Sequence, residues 1–160
     1  MAIYFYATRG KYGCFSNFSR HPIELDGKVW PTTEHYFQAQ KFAGTAYVER
    51  IRQAKTPTEA KKLAWKSTAP FRADWDAIRD EVMRRAVSCK FSSHSDLRDI
   101  LLSTGDEVLI ENAPDDAYWG CGADGNGENR LGKILMEVRE ALRAETIDSC
   151  ETRPLRERSI

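Results

Sequence analysis

The residues whose types and spacing best suit chemistry lie in one stretch: Trp30-Pro31-Thr32-Thr33-Glu34-His35-Tyr36-Phe37-Gln38-Ala39-Gln40-Lys41-Phe42. Thr32 has the character of an N-cap and Gly44 that of a stop, which predicts a helix from Thr33 to Ala43. At about 3.6 residues per turn, Glu34, Gln38 and Lys41 share one face while Phe37 and Phe42 turn towards a core. An acid, an amide and an amine in line beside aromatic surface suit a small, polar, ring-shaped ligand. The plainer reading is that Glu34 complements the helix dipole and its polar neighbours decorate a solvated face. Taken alone, the helix favours that plainer reading.

A second group is Asp115-Asp116-Ala117-Tyr118-Trp119-Gly120, followed by Gly122, Gly125, Gly127 and then Asn129-Arg130-Leu131-Gly132. Asp116 and Trp119 can set a carboxylate beside a flat stacking surface. The glycines permit close backbone approach, and a helix opening at Asn129 can receive an anion. The alternative is a surface loop whose Trp119 plugs the core. A third group is Pro70-Phe71-Arg72-Ala73-Asp74-Trp75, where Arg72 can grip a phosphate with its planar fork and Trp75 can stack on a base. A local salt bridge and a core aromatic are the competing roles. His21, His35 and His94 stand near no nucleophile motif, and with Cys14, Cys89, Cys121 and Cys150 they form no metal-ligand spacing. Chemistry therefore falls to the carboxylates, with Lys41 as a helper.

These groups need elements to hold them. Ile3 to Tyr6 reads as a strand. Asp26-Gly27 between alternating runs predicts a hairpin from Ile23 to Trp30, because a type I′ turn needs positive φ at both central residues. Helices are predicted from Tyr47 to Ala54 and from a Thr56-Pro57-Thr58-Glu59 capping box to Trp65. Others run from Asp76 to Phe91, with Ile78, Val82, Ala86 and Cys89 as the core stripe, and from Ser95 to Leu102. Glu107 to Glu111 reads as a strand and Asn129 to about Ala144 as the last helix. Without alternating βα units the expected class is α+β, a mainly helical single domain (1–144) around a small, mostly antiparallel sheet, with 145–160 as a mobile polar tail.

With 160 residues the chain can bury a core without staples. Its 24 basic residues equal its 24 acidic ones, so it lacks the global basic field on which sequence-independent nucleic-acid binding relies. The longest apolar run, Ile100-Leu101-Leu102, is far too short for a bilayer, and the first residues lack signal-peptide character. Free thiols in a cytoplasmic enzyme are the expected use of the scattered cysteines.

Across these same residues the chain closely resembles the NADAR family, the YbiA-like proteins. The resemblance rests on Phe15-Ser16-Asn17-Phe18, Trp30-Pro31 with Glu34-His35-Tyr36-Phe37-Gln38 and Lys41, and Met83-Arg84-Arg85-Ala86. It continues through Lys90-Phe91, Asp116-Ala117-Tyr118-Trp119-Gly120, Gly125, Asn129-Arg130-Leu131-Gly132 and Leu135-Met136, covering about residues 3 to 143. It implies cleavage of N-glycosidic bonds. The implied substrate class is the phosphoribosylamino-pyrimidine intermediates of riboflavin biosynthesis, with release of ribose 5-phosphate and an aminopyrimidine.

Other branches of the family imply an alternative, removal of ADP-ribose from guanine in nucleic acid; a non-catalytic ADP-ribose-binding module is the third reading. The positions the resemblance implies are Glu34, Trp75, Asp116 and Trp119. On that basis Glu34, Asp116 and Lys41 are the expected catalytic residues, Glu34 as the main carboxylate and Lys41 as a possible Schiff-base amine. Ser16, Asn17, Gln38 and Asn129 are expected to bind sugar or base, Trp75 and Trp119 to flank the base, and Arg72 or the Gly127 loop to receive the 5′-phosphate. Expected partners are a small phosphoribosylamino-pyrimidine or ADP-ribose-type ligand, with nucleic acid only under the alternative and no membrane. No metal or redox cofactor is expected.

Overall fold

Asp26 and Gly27 take φ of 55° and 73° and close a two-residue turn between β2 (Ile23–Leu25) and β3 (Lys28–Trp30), the hairpin that the Asp-Gly pair predicts. The computed structural model describes the backbone of residues 1–151 and the side chains of residues 1–146. The other elements in chain order are β1 (Ala2–Phe5), a short 3-10 turn at Gly13–Phe15, α1 (Thr33–Gln40), α2 (Tyr47–Arg52), α3 (Pro57–Lys66), α4 (Trp75–Ser93), α5 (Ser95–Ser103), β4 (Val108–Glu111) and α6 (Arg130–Glu151). The architecture is α+β and mainly helical. Its described strands divide equally between the antiparallel β2–β3 hairpin and a parallel β1–β4 pair, in which Phe5 stands opposite Glu111.

Two apolar clusters flank α1. On one side Phe5, Phe15, Phe37, Met83, Phe91, Leu109 and Leu135 fill the space between the β1–β4 pair and helices α4 and α6. On the other, Ile23, Trp30, Tyr36, Ala39, Phe42 and Ile51 join the small residues Ala60 and Ala64 of α3. The capping predicted for α1 and α3 is present: Thr32 Oγ1 accepts from His35 N–H at 3.2 Å, and Thr56 Oγ1 from Glu59 N–H at 3.0 Å. Helix α1 closes at Gln40, before the expected Ala43. Its end tightens into three-residue turns, with Phe42 N–H on Ala39 O and Ala43 N–H on Gln40 O, ahead of Gly44 at φ 83°.

The inward face of α4 differs from the expected stripe. Met83, Ala86, Val87, Lys90 and Phe91 are buried, while Ile78, Val82 and Cys89 are only partly so. Packing against both α1 and α6 rotates the covered face from where a single-sided stripe would lie. Helix α6 continues past the expected end near Ala144 to Glu151, so the expected tail begins as helix. Residues 152–160 lie outside the described residues. Cys14, Cys89 and Cys121 are free thiols; the side chain of Cys150 lies outside the described set. Among the described residues no helix is long and apolar enough to cross a membrane.

Candidate active site

Because α1 is clamped between the two clusters, seven of its eight residues are buried, and its polar face is driven inside with them. A buried polar group costs stability unless it is partnered or used. His35 is partnered: its ring bonds Thr32 Oγ1 at 2.7 Å and Ala54 O at 3.0 Å. Glu34 accepts from Gln38 Nε2 at 2.7 Å, but Gln38 Oε1 is buried without a partner among the described residues. Both residues face a cavity of about 260 Å³.

The cavity gathers chemistry from distant parts of the chain. Ser16, Asn17 and Phe18 come from the loop that leads to the hairpin; Glu34, Phe37, Gln38 and Lys41 from α1 and its cap; Lys61 and Trp65 from α3. Glu111 at the end of β4 and Asp115, Asp116 and Trp119 from the following loop complete the wall. The expected residues Ser16, Asn17, Glu34, Gln38, Lys41, Asp116 and Trp119 are thus brought together. The loop at Ser16 is fixed from below by buried Lys90, whose Nζ donates to Ser16 O at 3.0 Å and to Ser19 Oγ at 2.6 Å. Burial pulls the pKa of Lys90 down to about 7. Asn17 O caps α1 by accepting Glu34 N–H, and Thr33 Oγ1 donates to Asn17 Oδ1 at 2.9 Å.

Four expected residues are not on the cavity wall. Arg72 lies beside Lys41 in the backbone, its N–H donating to Lys41 O at 2.8 Å, but its guanidinium forks onto Asp74 at 2.6 and 3.0 Å. The local carboxylate two residues away takes the bidentate geometry that a phosphate would have used. Trp75 is buried against Phe37, ring centroids 5.1 Å apart, as a core aromatic. Asn129 spends its amide on β4: Oδ1 accepts Glu111 N–H at 2.9 Å and Nδ2 donates to Leu109 O at 2.9 Å. It positions Glu111 without facing the cavity. Gly127 packs so tightly that a Cβ there would stand 2.5 Å from the Cys121 carbonyl carbon, which fixes the loop as a backbone-packing feature.

Burial raises the pKa of both Glu34 and Glu111, but their partners differ. Burial pushes the pKa of Glu34 up, opposed by the Gln38 hydrogen bond and by the charges of Lys61 and Lys41. Glu111 has no such donor; burial, then the charges of Asp116 and Glu34, raise it to about 7. Asp116 uses Oδ1 to accept Trp119 N–H at 2.8 Å and Tyr118 N–H at 3.0 Å, which holds the Trp119 turn. The Lys41 ammonium sits against Phe71, Phe37 and Trp75, 4.9 to 5.8 Å from the ring centroids, and burial lowers its pKa against the pull of Glu34. Trp119 meets Phe37 edge to face at 5.2 Å. Among the described residues no group of three or more His, Cys, Asp or Glu side chains has the arrangement of a metal site.

Sequence reasoning missed Glu111, Lys61 and Trp65. Glu111 ends the predicted strand, and Lys61 and Trp65 fall in the predicted capped helix, none of them with a local signal of chemistry. Only the parallel pairing of β1 with β4 and the docking of α3 on α1 bring them to Glu34.

The NADAR domain model matches residues 4–143. The chain belongs to the NADAR family. It is 52% identical over 146 residues to the N-glycosidase Npun_R5314 of Nostoc punctiforme, covering 89% of this chain and 94% of that protein. It is 48% identical over 143 residues to the N-glycosidase YbiA of Escherichia coli K12, covering 89% of each. The riboflavin biosynthesis protein PYRR of Zea mays is 41% identical over 155 residues, which is 88% of this chain but 25% of the maize protein. The NMR structure of E. coli YbiA superposes with a TM-score of 0.86 at 44% identity, covering 98% of this chain and 90% of that one. This NADAR chain is accordingly a hydrolase acting on N-glycosyl bonds.

Proposed function

We propose that this NADAR enzyme hydrolyses the C1′–N bond of phosphoribosylamino-pyrimidines, releasing ribose 5-phosphate and the aminopyrimidine. The observation that carries the reading is the set of opposed groups in one cavity: Glu111 without a donor, Glu34 with one, and Gln38 Oε1 buried and unpartnered beside them. A cavity of about 260 Å³ falls below the roughly 300–1,000 Å³ of sites for drug-sized ligands. It suits one ring and its sugar. The amino N–H of such a ring supplies the partner that Gln38 Oε1 lacks.

Burial raises both carboxyls, so their roles follow from their partners. Glu111, raised to about 7 and accepting no hydrogen bond among the described residues, is the proton donor; Glu34, which accepts from Gln38 Nε2 and faces Lys61 and Lys41, is the base. As the C1′–N bond breaks, the nitrogen takes the Glu111 proton and positive charge builds on the ribose, where the Glu34 and Asp116 carboxylates stabilise it. Water adds to C1′ and gives its proton to Glu34; proton exchange with solvent restores both acids. Trp119 walls the base.

Lys41 supports a second route, because its caged, depressed amine is suited to nucleophilic attack. There the amine adds to C1′ of the ring-opened ribosylamine, and the base departs with the Glu111 proton. Water then hydrolyses the Lys41–C1′ imine, returning the amine and the aldehyde sugar. Borohydride trapping of substrate on wild type but not on Lys41→Met distinguishes the routes.

The function is tested by incubating the purified chain with phosphoribosylamino-pyrimidines and, separately, with ADP-ribosyl-guanine, and measuring released base. Release from the pyrimidine substrate is the expected result. Release from ADP-ribosyl-guanine alone overturns the substrate assignment in favour of the nucleic-acid branch.

A further inference from the structure

Helix α3 carries a face with no structural role in the core. Its buried side is Pro57, Ala60 and Ala64, small residues packed on α1. The opposite side presents Thr58, Lys61, Lys62, Trp65 and Lys66 at the i, i+3, i+4, i+7 and i+8 spacing of one helix face. Trp65 is 75% exposed, an unusual position for so large an apolar side chain. Together with Tyr6 and Phe18 these residues wall a groove of about 550 Å³. Phe18, Lys61 and Trp65 belong equally to the acid cavity, so the groove and the cavity open into each other.

Charge distinguishes this exit from the rest of the site. With Glu111 holding its proton, the acid cavity still sets Glu34, Asp115 and Asp116 against Lys41 and Lys61, an excess of acidic groups that disfavours a dianion. The lobe that leaves it towards Tyr6 and Thr8 sets Glu111, Asp115 and Asp116 against Lys61 as its one cation, and so favours a dianion less than the α3 face with its three lysines. Arg72 is paired with Asp74 at 2.6 Å and Arg130 with Glu128 at 2.8 Å, while Arg79 is stacked on the Tyr118 ring at 3.7 Å and does not line the cavity or the groove. Among the described residues no carboxylate lies within ion-pair distance of Lys61, Lys62 or Lys66, although the Lys61 charge is felt by Glu34 and Glu111 across the cavity. The Lys61 ammonium lies between Trp65 and Phe18, 5.8 and 5.9 Å from their ring centroids, at the junction of cavity and groove.

We propose that this α3 shelf receives the 5′-phosphoryl end of the ligand, Lys61 at the junction and Lys62 and Lys66 beyond it, with Trp65 as the flat wall. The inference rests on the reading of the acid cavity as the site of the C1′–N bond. It moves phosphate recognition from Arg72 and the glycine loop to a helix for which the sequence predicts no ligand. A ribose held with C1′ at the acids points its 5′-carbon away from them, and the shelf is the exit along which positive charge is left unpaired. The same phosphoryl chemistry is offered by a ribose 5-phosphate monoester and by the pyrophosphate of ADP-ribose.

The test compares the full chain with a Lys62→Met/Lys66→Met variant, which leaves Lys61 and every group of the acid cavity in place. Titration calorimetry with ribose 5-phosphate and with ribose reads binding directly. Wild type is expected to prefer ribose 5-phosphate at low salt, and the variant to lose about tenfold of that affinity with ribose unchanged, the size expected for two solvent-exposed ion pairs. In turnover of a phosphoribosylamino-pyrimidine, KM should rise by the same factor at constant kcat, because the phosphate is held alike in ground and transition states.

Equal wild-type affinity for ribose 5-phosphate and ribose, or an unchanged preference in the variant, overturns the shelf even if base is released. Phosphate-dependent binding that the variant loses, without release of base from any N-ribosyl substrate, upholds the shelf and sinks the catalytic reading. Trp65→Ala identifies the source: a larger loss for ADP-ribose than for ribose 5-phosphate assigns a second base to the Trp65 face. Equal losses assign the shelf to the monoester, and both outcomes uphold it as the phosphoryl site.

Discussion

Replacing Glu111 with Gln removes the ionisable group and keeps the shape, so it tests whether the cavity was built to hold a proton. In the folded chain, burial and the neighbouring acids Asp116 and Glu34 raise this carboxyl from its ordinary 4.5 to about 7. At about 1.4 kcal/mol per pKa unit, that displacement corresponds to about 3 kcal/mol. Between about pH 4.5 and 7 the native carboxyl retains its proton while the unfolded one releases it. The native state then binds more protons, and stability falls as pH rises through this window. Glu111→Gln lacks that fall. Urea unfolding should therefore show the variant gaining on wild type by up to about 3 kcal/mol from pH 4.5 to pH 8, with no change in their difference below pH 4. Turnover should move the other way: the variant loses kcat, and the decline of wild-type activity above about pH 7 disappears from its profile. A stability difference that is the same at pH 4.5 and pH 8 would refute the electrostatic argument, and wild-type kcat in the variant would refute the role as proton donor.

Glu34→Gln should stay folded and lower kcat by at least about 10²-fold, measured as base release; near wild-type turnover would move the base to Asp116. Asn129→Ala strips the partners from Glu111 N–H and Leu109 O and should cost about 2–4 kcal/mol by urea denaturation, with kcat falling as Glu111 shifts. Lys90→Met should be most favourable below pH 7. In wild type the unfolded lysine binds a proton that the native one, at about 7, has released, so wild-type stability rises from pH 7 towards 10.5 and the advantage of Met shrinks over that range in pH-dependent melts. Arg72→Ala, breaking an exposed pair with Asp74, should change KM for phosphorylated and dephosphorylated substrates alike and by less than about twofold.

Local chemistry made much of the fold legible. Asp26-Gly27, the Thr32 and Thr56 caps and the glycine stops act within a few residues, and the hairpin and helices appear close to where they place them. What lies outside that range depends on contacts no local pattern encodes. The parallel partner of β1 is more than a hundred residues away, so Glu111 gives no sign in sequence that Phe5 stands opposite it and Glu34 faces the same cavity. Arg72 carries the right group for phosphate, but Asp74 is two residues off and captures it first. Asn129 has the residue type of a ligand-binding amide and uses both its ends to copy a missing strand partner along β4. Lys90 shows the converse: a lysine on a helix reads as surface, but here it is buried and donates hydrogen bonds to Ser16 O and Ser19 Oγ.

The parallel pairing of Ala2–Phe5 with Val108–Glu111 also sets a schedule for synthesis. At about 5–20 residues per second, the ribosome needs on the order of 5–20 s to deliver the second strand after the first. Through that interval β1 leaves the ribosome with an unpaired edge and apolar Ile3 and Phe5 exposed, a target for chaperones or for aggregation. Glu34, Gln38 and Lys41 emerge before Glu111 and Asp116, so a chain that has not yet reached β4 holds half of the cavity and cannot carry out the proposed two-acid chemistry. The cavity is complete only when the strand made about a hundred residues later captures the earlier one.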